Sequence, residues 1–575
     1  MADSNRPACP TGLPIPLNAV TALGYHQAPF LRSGHEDGFA RAHLPPRSQW
    51  PAMPQPPSGI GYPDRLNAAA TLIDQALAAG RANSVALSGR GSNWTYAELS
   101  QKVDQIAHVL RSRYGLKNGH RVLLRGFNSP MLAACWLAVL KAGCIAVTTM
   151  PLLRARELSV IAERAQVNAA LCEAGLSDAL DDAFLQSVGP RPVLTYGDSP
   201  AEPSSLEREM SGFNGRFIAA DTAQDDVAII AFTSGTTGVP KGTMHFHRDI
   251  LLIADLLSRH LLAPTPDDVF IGTPPLAFTF GLGGLLIFPL RVGARAVLEP
   301  QWTPESLLQG ISDHAATICF TAPTFYRKMA PLASGQELTQ LRVTVSSGEM
   351  LPADTREQWR EATGLEMTEC LGSTELLHAF IGCRPGEIRP GATGRIIPGY
   401  EACILDDQGR TLAPGEVGRL AVRGPTGCRY LDDSRQGQYV QHGWNLTGDA
   451  YLMDSDGYFW YQSRTDDMII SAGYNIAGPE VEDILLTHPG VAECGVVGAP
   501  DPDRGQIVMA FIVTRAGYTA GPGLTRELQD WVKERLAPYK YPRAIRYIEA
   551  LPRTENAKLQ RFKLREWAAL RGTQP

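Results

Sequence analysis

Apolar residues recur along the chain with two different periods, and each period marks a different kind of element. In DRLNAAATLIDQALAAG, Leu66, Ala70, Ile73 and Leu77 stand three to four apart before Gly80. That spacing predicts a helix with one apolar face, ending at the glycine, and regular structure beginning at Asp64. VALSGRGSNWTYAELSQKV predicts a hairpin and then a helix, whose Thr95 and Glu98 have capping-box spacing. HRVLLRG predicts a strand. Ser129-Pro130 follows as a cap with proline at the first helical position, the helix runs to Ala142, Gly143 ends it, and CIAVTTM is the next strand. Short apolar runs at 227–232, 268–271, 294–298, 317–321 and 342–346 read as further strands with helical stretches between several of them. The alternation predicts layered α/β structure.

From about residue 400 the texture changes to hairpins, in CILDDQGRTL, GRLAVRG and DSDGYFWYQSR. After 467 a small α+β unit is expected, with helices at GPEVEDILLTH and LTRELQDWVKERL and strands at AECGVVG and VMAFIVT. The boundary falls near SRTDDMIIS. Residues 1–62 hold eleven prolines with little periodicity and read as an extended lead-in, partly disordered or wrapped on the body. The expected organisation is therefore a proline-rich extension at 1–62, a large domain at 63–465 and a small domain at 466–575. The fold class is α/β: layered α/β subdomains plus a β-rich subdomain, with a small mobile α+β domain at the C-terminus.

At 575 residues the chain exceeds what one core holds, so several units are expected. A composition 44% hydrophobic and 19% charged, with a formal net charge of −6, argues against a broad basic surface for nucleic acid. The most apolar run, MLAACWLAVLKAG, is too short to span a bilayer and reads as a buried helix. The start of the chain lacks the pattern of a signal peptide, and the ten scattered cysteines read as reduced thiols. A cytoplasmic protein is expected. His245 and His247 have no carboxylate or cysteine at ligand spacing and read as structural.

The most chemically pointed segment is AFTSGTTGVPKG, which follows the strand DDVAIIAF directly. Backbone N–H groups of such a loop make an anion-binding nest. Hydroxyls of Thr233, Ser234, Thr236 and Thr237 add donors, Gly235 and Gly238 let the chain approach closely, and Lys241 adds charge, a combination suited to polyphosphate. A Walker A loop would need Gly-Lys-Ser/Thr, and here Lys241 lies between Pro240 and Gly242.

TSGTTGVPKG resembles the phosphate loop of the adenylate-forming superfamily, which comprises acyl-CoA synthetases, adenylation domains and luciferases. Four more segments resemble its motifs in order. LGSTE (371–375) implies a nucleotide site at Leu371, Gly372, Ser373 and Thr374, with Gly348, Glu349 and Met350 nearby. Thr374 would contact the α-phosphate and Glu375 would bind Mg2+. LTGDAY implies that Asp449 accepts hydrogen bonds from the ribose hydroxyls. SRTDDMIISAGYNI implies Arg464 as a nucleotide contact, Asp466 as the hinge, and Gly473 and Tyr474 along a CoA channel. LPRTENAKLQRFKLRE implies the catalytic lysine at Lys558, with Thr236 and Glu375 completing the catalytic set. Three departures stand out: Ala557 and Ser463 replace usual glycines, and Leu371 stands where many relatives carry an aromatic residue.

PPLAFTFGLGG and GSTELLHAF resemble the benzoate–CoA ligase branch, with the wording nearest to 2-aminobenzoate (anthranilate)–CoA ligases. By that resemblance Phe278, Thr279, Phe280, Gly281, Ser347 and His378 line an aryl pocket, with His378 facing the ring or its carboxylate. The implied reaction joins an aryl carboxylate to CoA through aryl-AMP, using ATP and Mg2+. The alternatives are an enzyme that loads a separate carrier protein and a non-catalytic nucleotide-binding protein. A monomer or homodimer acting on small molecules is expected.

Overall fold

The computed structural model describes residues 30–197, 205–233, 240–336, 338–465, 467–471, 474–501, 504–536, 539–553 and 559–570. Two compact units divide the chain. The larger comprises Gln27–Tyr400 with Arg423–Val440, and the other contains Glu401–Val422 and Gln441–Pro575. A large N-terminal α/β domain and a small C-terminal α+β domain make up the architecture.

Within the larger unit, one sheet runs in the order Val193–Tyr196, Ala169–Glu173, Arg121–Arg125, Ile145–Thr149, Val227–Thr233, Lys241–Phe246. Its first five strands are parallel and the last is antiparallel. The fully buried strand Ile145–Thr149 is apolar or threonine at every position, as suits burial of both faces in a parallel sheet. In a second sheet, Met367–Gly372, Val343–Ser346, Ile318–Thr321, Val269–Gly272, Arg295–Val297 and Val85–Gly89 lie parallel and adjacent in that order. Ala379–Gly382 and Gly394–Ile396 extend it by antiparallel pairing.

The expected caps are present. Thr95 and Glu98 make a reciprocal capping box, and Ser129 accepts the N–H of Leu132 at 3.2 Å ahead of helix Pro130–Lys141. That helix is the MLAACWLAVLKAG run, buried at every position except Met131. Among the described residues no helix is long and apolar enough to cross a membrane. The nine described cysteines are buried thiols outside any disulfide.

The helix expected after Asp64 spans Ala68–Ala78, but it buries Ala69, Leu72, Ile73 and Ala76, leaving Ala70 and Leu77 partly exposed. Leu66 belongs to an extended segment instead, its N–H bonded to the carbonyl of Thr222. A helical register counted from it is therefore rotated away from the true face. Regular structure also begins before Asp64, with helix Phe39–Ala42 and a 3-10 turn at Arg47–Gln49. This stretch is wrapped on the body. Arg41 pairs with Asp225 and Asp226, and Phe30 and Trp50 pack edge-on or tilted against Phe246.

In the other unit, Gly418–Arg423, Trp444–Met453 and Tyr458–Arg464 form antiparallel strands. A separate sheet pairs Val491–Asp501 with Gly505–Thr514, and Ala544–Tyr547 adds in parallel. Val508, Ala510 and Ile512 face a core built with Val481, Leu485, Leu528 and Val532. Met509 and Phe511 face the opposite core with Leu551, Leu564 and Ala568. This period-two split places helices on both sides of the sheet. Strand Ala544–Tyr547 and helix Arg561–Ala569 are additions to the elements read from the sequence.

Candidate active site

Most segments that carry chemistry leave the carboxyl ends of parallel strands, the edge where open α/β sheets present ligand-binding crevices. Val269–Gly272 leads into 273–284, Val343–Ser346 into 347–350, and Met367–Gly372 into 373–378. Ser347 Oγ ties two of these ends together by donating to the carbonyl of Cys370 at 2.8 Å. Ser347, Glu349, Met350, Leu371, Ser373 and Thr374 are all partly exposed, and Gly348 and Gly372 are exposed.

The glycine-rich loop joins Val227–Thr233 to Lys241–Phe246, and Thr233 and Lys241 face each other across this antiparallel pair. A strand, rather than the helix of a Walker-type loop, therefore follows it. Ser234, Gly235, Thr236, Thr237 and Gly238 lie outside the described residues, as do Asp466, Gly473, the side chain of Tyr474, Ala557 and Lys558.

Lys241 and Glu375 are brought together by a residue that the sequence reading passed over, Tyr430. The Tyr430 hydroxyl donates to Glu375 Oε1 at 2.6 Å and accepts from Lys241 Nζ at 3.0 Å. Lys241 Nζ is 3.9 Å from the same carboxylate oxygen and 4.9 Å from the centre of the Tyr430 ring. Burial, reinforced by the Glu375 charge, drives the Tyr430 phenol far above its usual range, so it stays a donor. Tyr439 packs edge-on against Tyr430, and its hydroxyl lies 3.3 Å from Ser373 Oγ.

Glu375 sits in the 3-10 turn Thr374–Leu376, capped by Ser373, whose Oγ accepts the N–H of Leu376. Side chains hold the turn's carbonyls: His245 Nε2 donates to Thr374 O at 2.8 Å, and Thr426 Oγ1 donates to Leu376 O at 2.8 Å. Beneath it, Arg429 and Asp249 form a fully buried ion pair at 2.8 Å, with the guanidinium 4.0 Å from the centre of the Phe246 ring. Burial opposes the Asp249 charge, but Arg429 and Arg248 hold its pKa below the usual value. His247 accepts the N–H of Ala68 at the start of helix Ala68–Ala78. Both histidines of the His-x-His pair thus have structural partners.

Leu377 follows the turn with φ 71° and ψ −30°. A branched, buried residue in this region is strained, and the bend turns the chain so that consecutive groups serve different surroundings. Glu375 meets Lys241 and Tyr430. His378, three residues on, is buried against Phe288, with ring centres 4.8 Å apart, and Phe280, at 5.8 Å. Its Nε2 lies 3.4 Å from the carbonyl of Phe280. Phe280 also packs on Phe320 at 5.4 Å. Phe278, Thr279 and Phe280 are partly exposed and Gly281 is buried, so this segment is a surface backed by core. Gly283 is required behind it, because a Cβ there would fall 2.3 Å from His378 Cδ2.

In the other unit, Asp449 and Arg464 are direct cross-strand partners. Arg464 Nη1 donates to Asp449 Oδ1 at 2.9 Å and to Thr447 O at 3.0 Å. Gly448 at φ 77° permits this, since a Cβ would come within 2.5 Å of Arg464 Nη2.

Among the described residues, no three His, Cys, Asp or Glu side chains cluster as a metal cage. Glu375 is a single carboxylate, and it suits a Mg2+ ion whose remaining ligands are phosphate oxygens and water.

The family model for AMP-binding enzymes matches residues 74–429, and that for the AMP-binding enzyme C-terminal domain matches 480–558. The chain is an AMP-binding enzyme. It belongs to the benzoate–CoA ligase branch of the adenylate-forming superfamily, and it is an acid–thiol ligase. The benzoate–CoA ligase of Thauera aromatica is 34% identical over 517 residues, covering 88% of this chain and 97% of that protein. The solved anthranilate CoA ligase AuaEII, in complex with anthranoyl-AMP, matches with a TM-score of 0.82 at 33% identity, covering 88% of this chain and 98% of that one. A benzoate CoA ligase from Burkholderia xenovorans LB400 matches with a TM-score of 0.78 at 31% identity, over 87% of this chain and 100% of that one.

The buried histidines of this AMP-binding enzyme add to its acid sensitivity, beside the carboxylates such as Asp226 and Asp249 whose pKa values are held below the usual range. Burial lowers the pKa of His245 and of His378 to about 4 and that of His247 to about 3. An unfolded histidine titrates near 6.5, so between that pH and about 4 the unfolded chain binds more protons than the folded one. Their contribution to stability is complete above pH 6.5 and is lost as the pH falls toward 4. The thermal midpoint is expected to drop between pH 7.5 and pH 5, and His378→Gln should make that drop shallower. An identical pH slope in the variant would exclude His378 from the effect.

Proposed function

We propose that this enzyme is an ATP-dependent aryl-CoA ligase that forms an aryl-AMP and transfers the acyl group to CoA, with 2-aminobenzoate as the preferred acid. The observation that carries the reading is the divided turn: Glu375 meets Lys241 on one side, and His378 backs the Phe278–Gly281 wall on the other. A carboxylate activated at phosphorus needs those two surroundings side by side. Aromatic edges and faces suit a flat ring. Burial keeps His378 neutral, so it supports the wall without placing a charge behind the ring. The likeness to a ligase solved with anthranoyl-AMP supports the choice of acid.

In this reading the acid's carboxylate attacks the α-phosphate. Lys241 and the hydroxyls and N–H groups of residues 233–238 hold the departing pyrophosphate. Glu375 would hold Mg2+, which when bound offsets phosphate charge. Thr374 contacts the α-phosphate, and Asp449, oriented by Arg464, accepts the ribose hydroxyls. Lys558 bridges the two approaching anions and stabilises the charge that develops between them. The domain from 466 onward then swings about Asp466, withdrawing Lys558 and bringing Gly473 and Tyr474 to the path of the CoA thiol, which displaces AMP. The reaction belongs in the cytoplasm, where ATP and CoA are abundant.

A panel of benzoates in an ATP- and CoA-dependent assay tests the substrate: 2-aminobenzoate should give the highest kcat/KM, with AMP as co-product. Failure to release AMP with any arenecarboxylic acid would end the proposal. Lys558→Ala should lose adenylation by at least ~10²-fold, the scale for removing a transition-state donor, while thioester formation from supplied aryl-AMP largely survives. Equal loss of both half-reactions would contradict the division of labour.

A further inference from the structure

Tyr430 belongs to none of the motifs that carry the family resemblance, yet among the described residues its hydroxyl is the one group bonded to both Lys241 and Glu375. We propose that Tyr430 is a positioning residue: its hydroxyl acts as a spacer that keeps Lys241 and Glu375 from closing into a direct ion pair and holds both charges ready for a metal-bound polyphosphate. The inference rests on the reading of Lys241 as a phosphate ligand and Glu375 as the Mg2+ ligand.

An ammonium and a carboxylate in direct charge-assisted contact approach to about 2.7–2.9 Å. Here they stand 3.9 Å apart, and both are bonded to the one hydroxyl, which sits at the corner of the triangle they form. A direct pair would satisfy both charges internally, and a phosphate would have to break it. With the hydroxyl bridging the two, Lys241 spends one N–H on Tyr430 and keeps two for a ligand. Glu375 spends Oε1, and among the described residues its Oε2 has no hydrogen-bond partner. Tyr430 thereby selects which carboxylate oxygen is presented.

Lys241 is a long side chain with rotamer freedom to lose, whereas Tyr430 is fully buried and held along its backbone and ring. Its N–H donates to Gln436 Oε1 at 2.9 Å. Gln436 Nε2 in turn donates to the carbonyl of Gln49 at 2.9 Å and of Cys428 at 3.2 Å. Arg429 beside it is locked to Asp249, and Tyr439 flanks the ring. The 3-10 turn at Arg47–Gln49 is thus part of the support, which gives the lead-in segment a role in shaping the site. A phenylalanine would keep the ring and this support while deleting the spacer alone.

The test is Tyr430→Phe in the full-length protein, reading MgATP binding by calorimetry with no acid or CoA present, and the Mg2+ concentration that half-activates adenylation. MgATP should bind about tenfold more weakly, the scale of one hydrogen bond to a charged group. Half-activation should need more Mg2+. The KM for the acid and the thioester step from supplied aryl-AMP should stay within twofold, and the thermal midpoint within a few degrees. A double-mutant cycle with Glu375→Gln covers any loss of stability: if Tyr430 acts through Glu375, adding Tyr430→Phe to Glu375→Gln should cost far less than it does alone. Unchanged MgATP affinity, or full additivity in the cycle, overturns the proposal. Wild-type protein that binds no MgATP would overturn the underlying reading of Lys241 and Glu375 as well.

Discussion

Glu375 is a carboxylate with little access to water, and such a group is stable only where partners share its charge. The surroundings of the candidate active site follow from meeting that requirement without consuming the carboxylate. Tyr430 supplies a neutral donor, Lys241 supplies charge at one remove, and the turn carrying Glu375 is pinned at its carbonyls by His245 and Thr426. Those supports need supports of their own. His245 stays neutral because it is buried, and the Arg429–Asp249 pair beneath is enclosed by Phe246 and Trp50, the latter from the lead-in segment.

The bend at Leu377 extends this constraint to the acid side. Left-handed backbone at a buried leucine is costly and persists only because both flanks are fixed, by the capped turn before it and by strand Ala379–Gly382 after it. Its consequence is that charge chemistry and aromatic packing come from neighbouring residues of one segment. Parallel strands supply the rest: their carboxyl ends converge on one edge, so segments distant in sequence, 273–284, 347–350 and 373–378, become neighbours.

Much of this was legible in the sequence where the signal is local. The capping box at Thr95 and Glu98, the Ser129-Pro130 helix start and the strand at 227–232 depend on residues a few positions apart, and the structure has them. The family motifs were legible for a related reason, because their chemistry is written in short contiguous strings. Tyr430 was not, because its partner Lys241 is 189 positions away and a lone tyrosine carries no local pattern. The Arg429–Asp249 pair was hidden in the same way, at a separation of 180. The helix after Asp64 existed as expected but buried a rotated face, since it starts after the Asn67 cap and Leu66 lies ahead of it, bonded to Thr222. Leu377 broke the rule that left-handed backbone takes glycine, and strain at a candidate site is where such rules fail.

The central claim is that one segment, Glu375 to His378, divides the nucleotide from the ring. A crystal structure with a non-hydrolysable 2-aminobenzoyl-AMP analogue and Mg2+ tests it most directly. The account predicts the aryl ring in contact with Phe280 and His378 and the phosphate end beside Thr374, Glu375 and Lys241. A ring bound elsewhere, or a phosphate remote from Glu375, would contradict it.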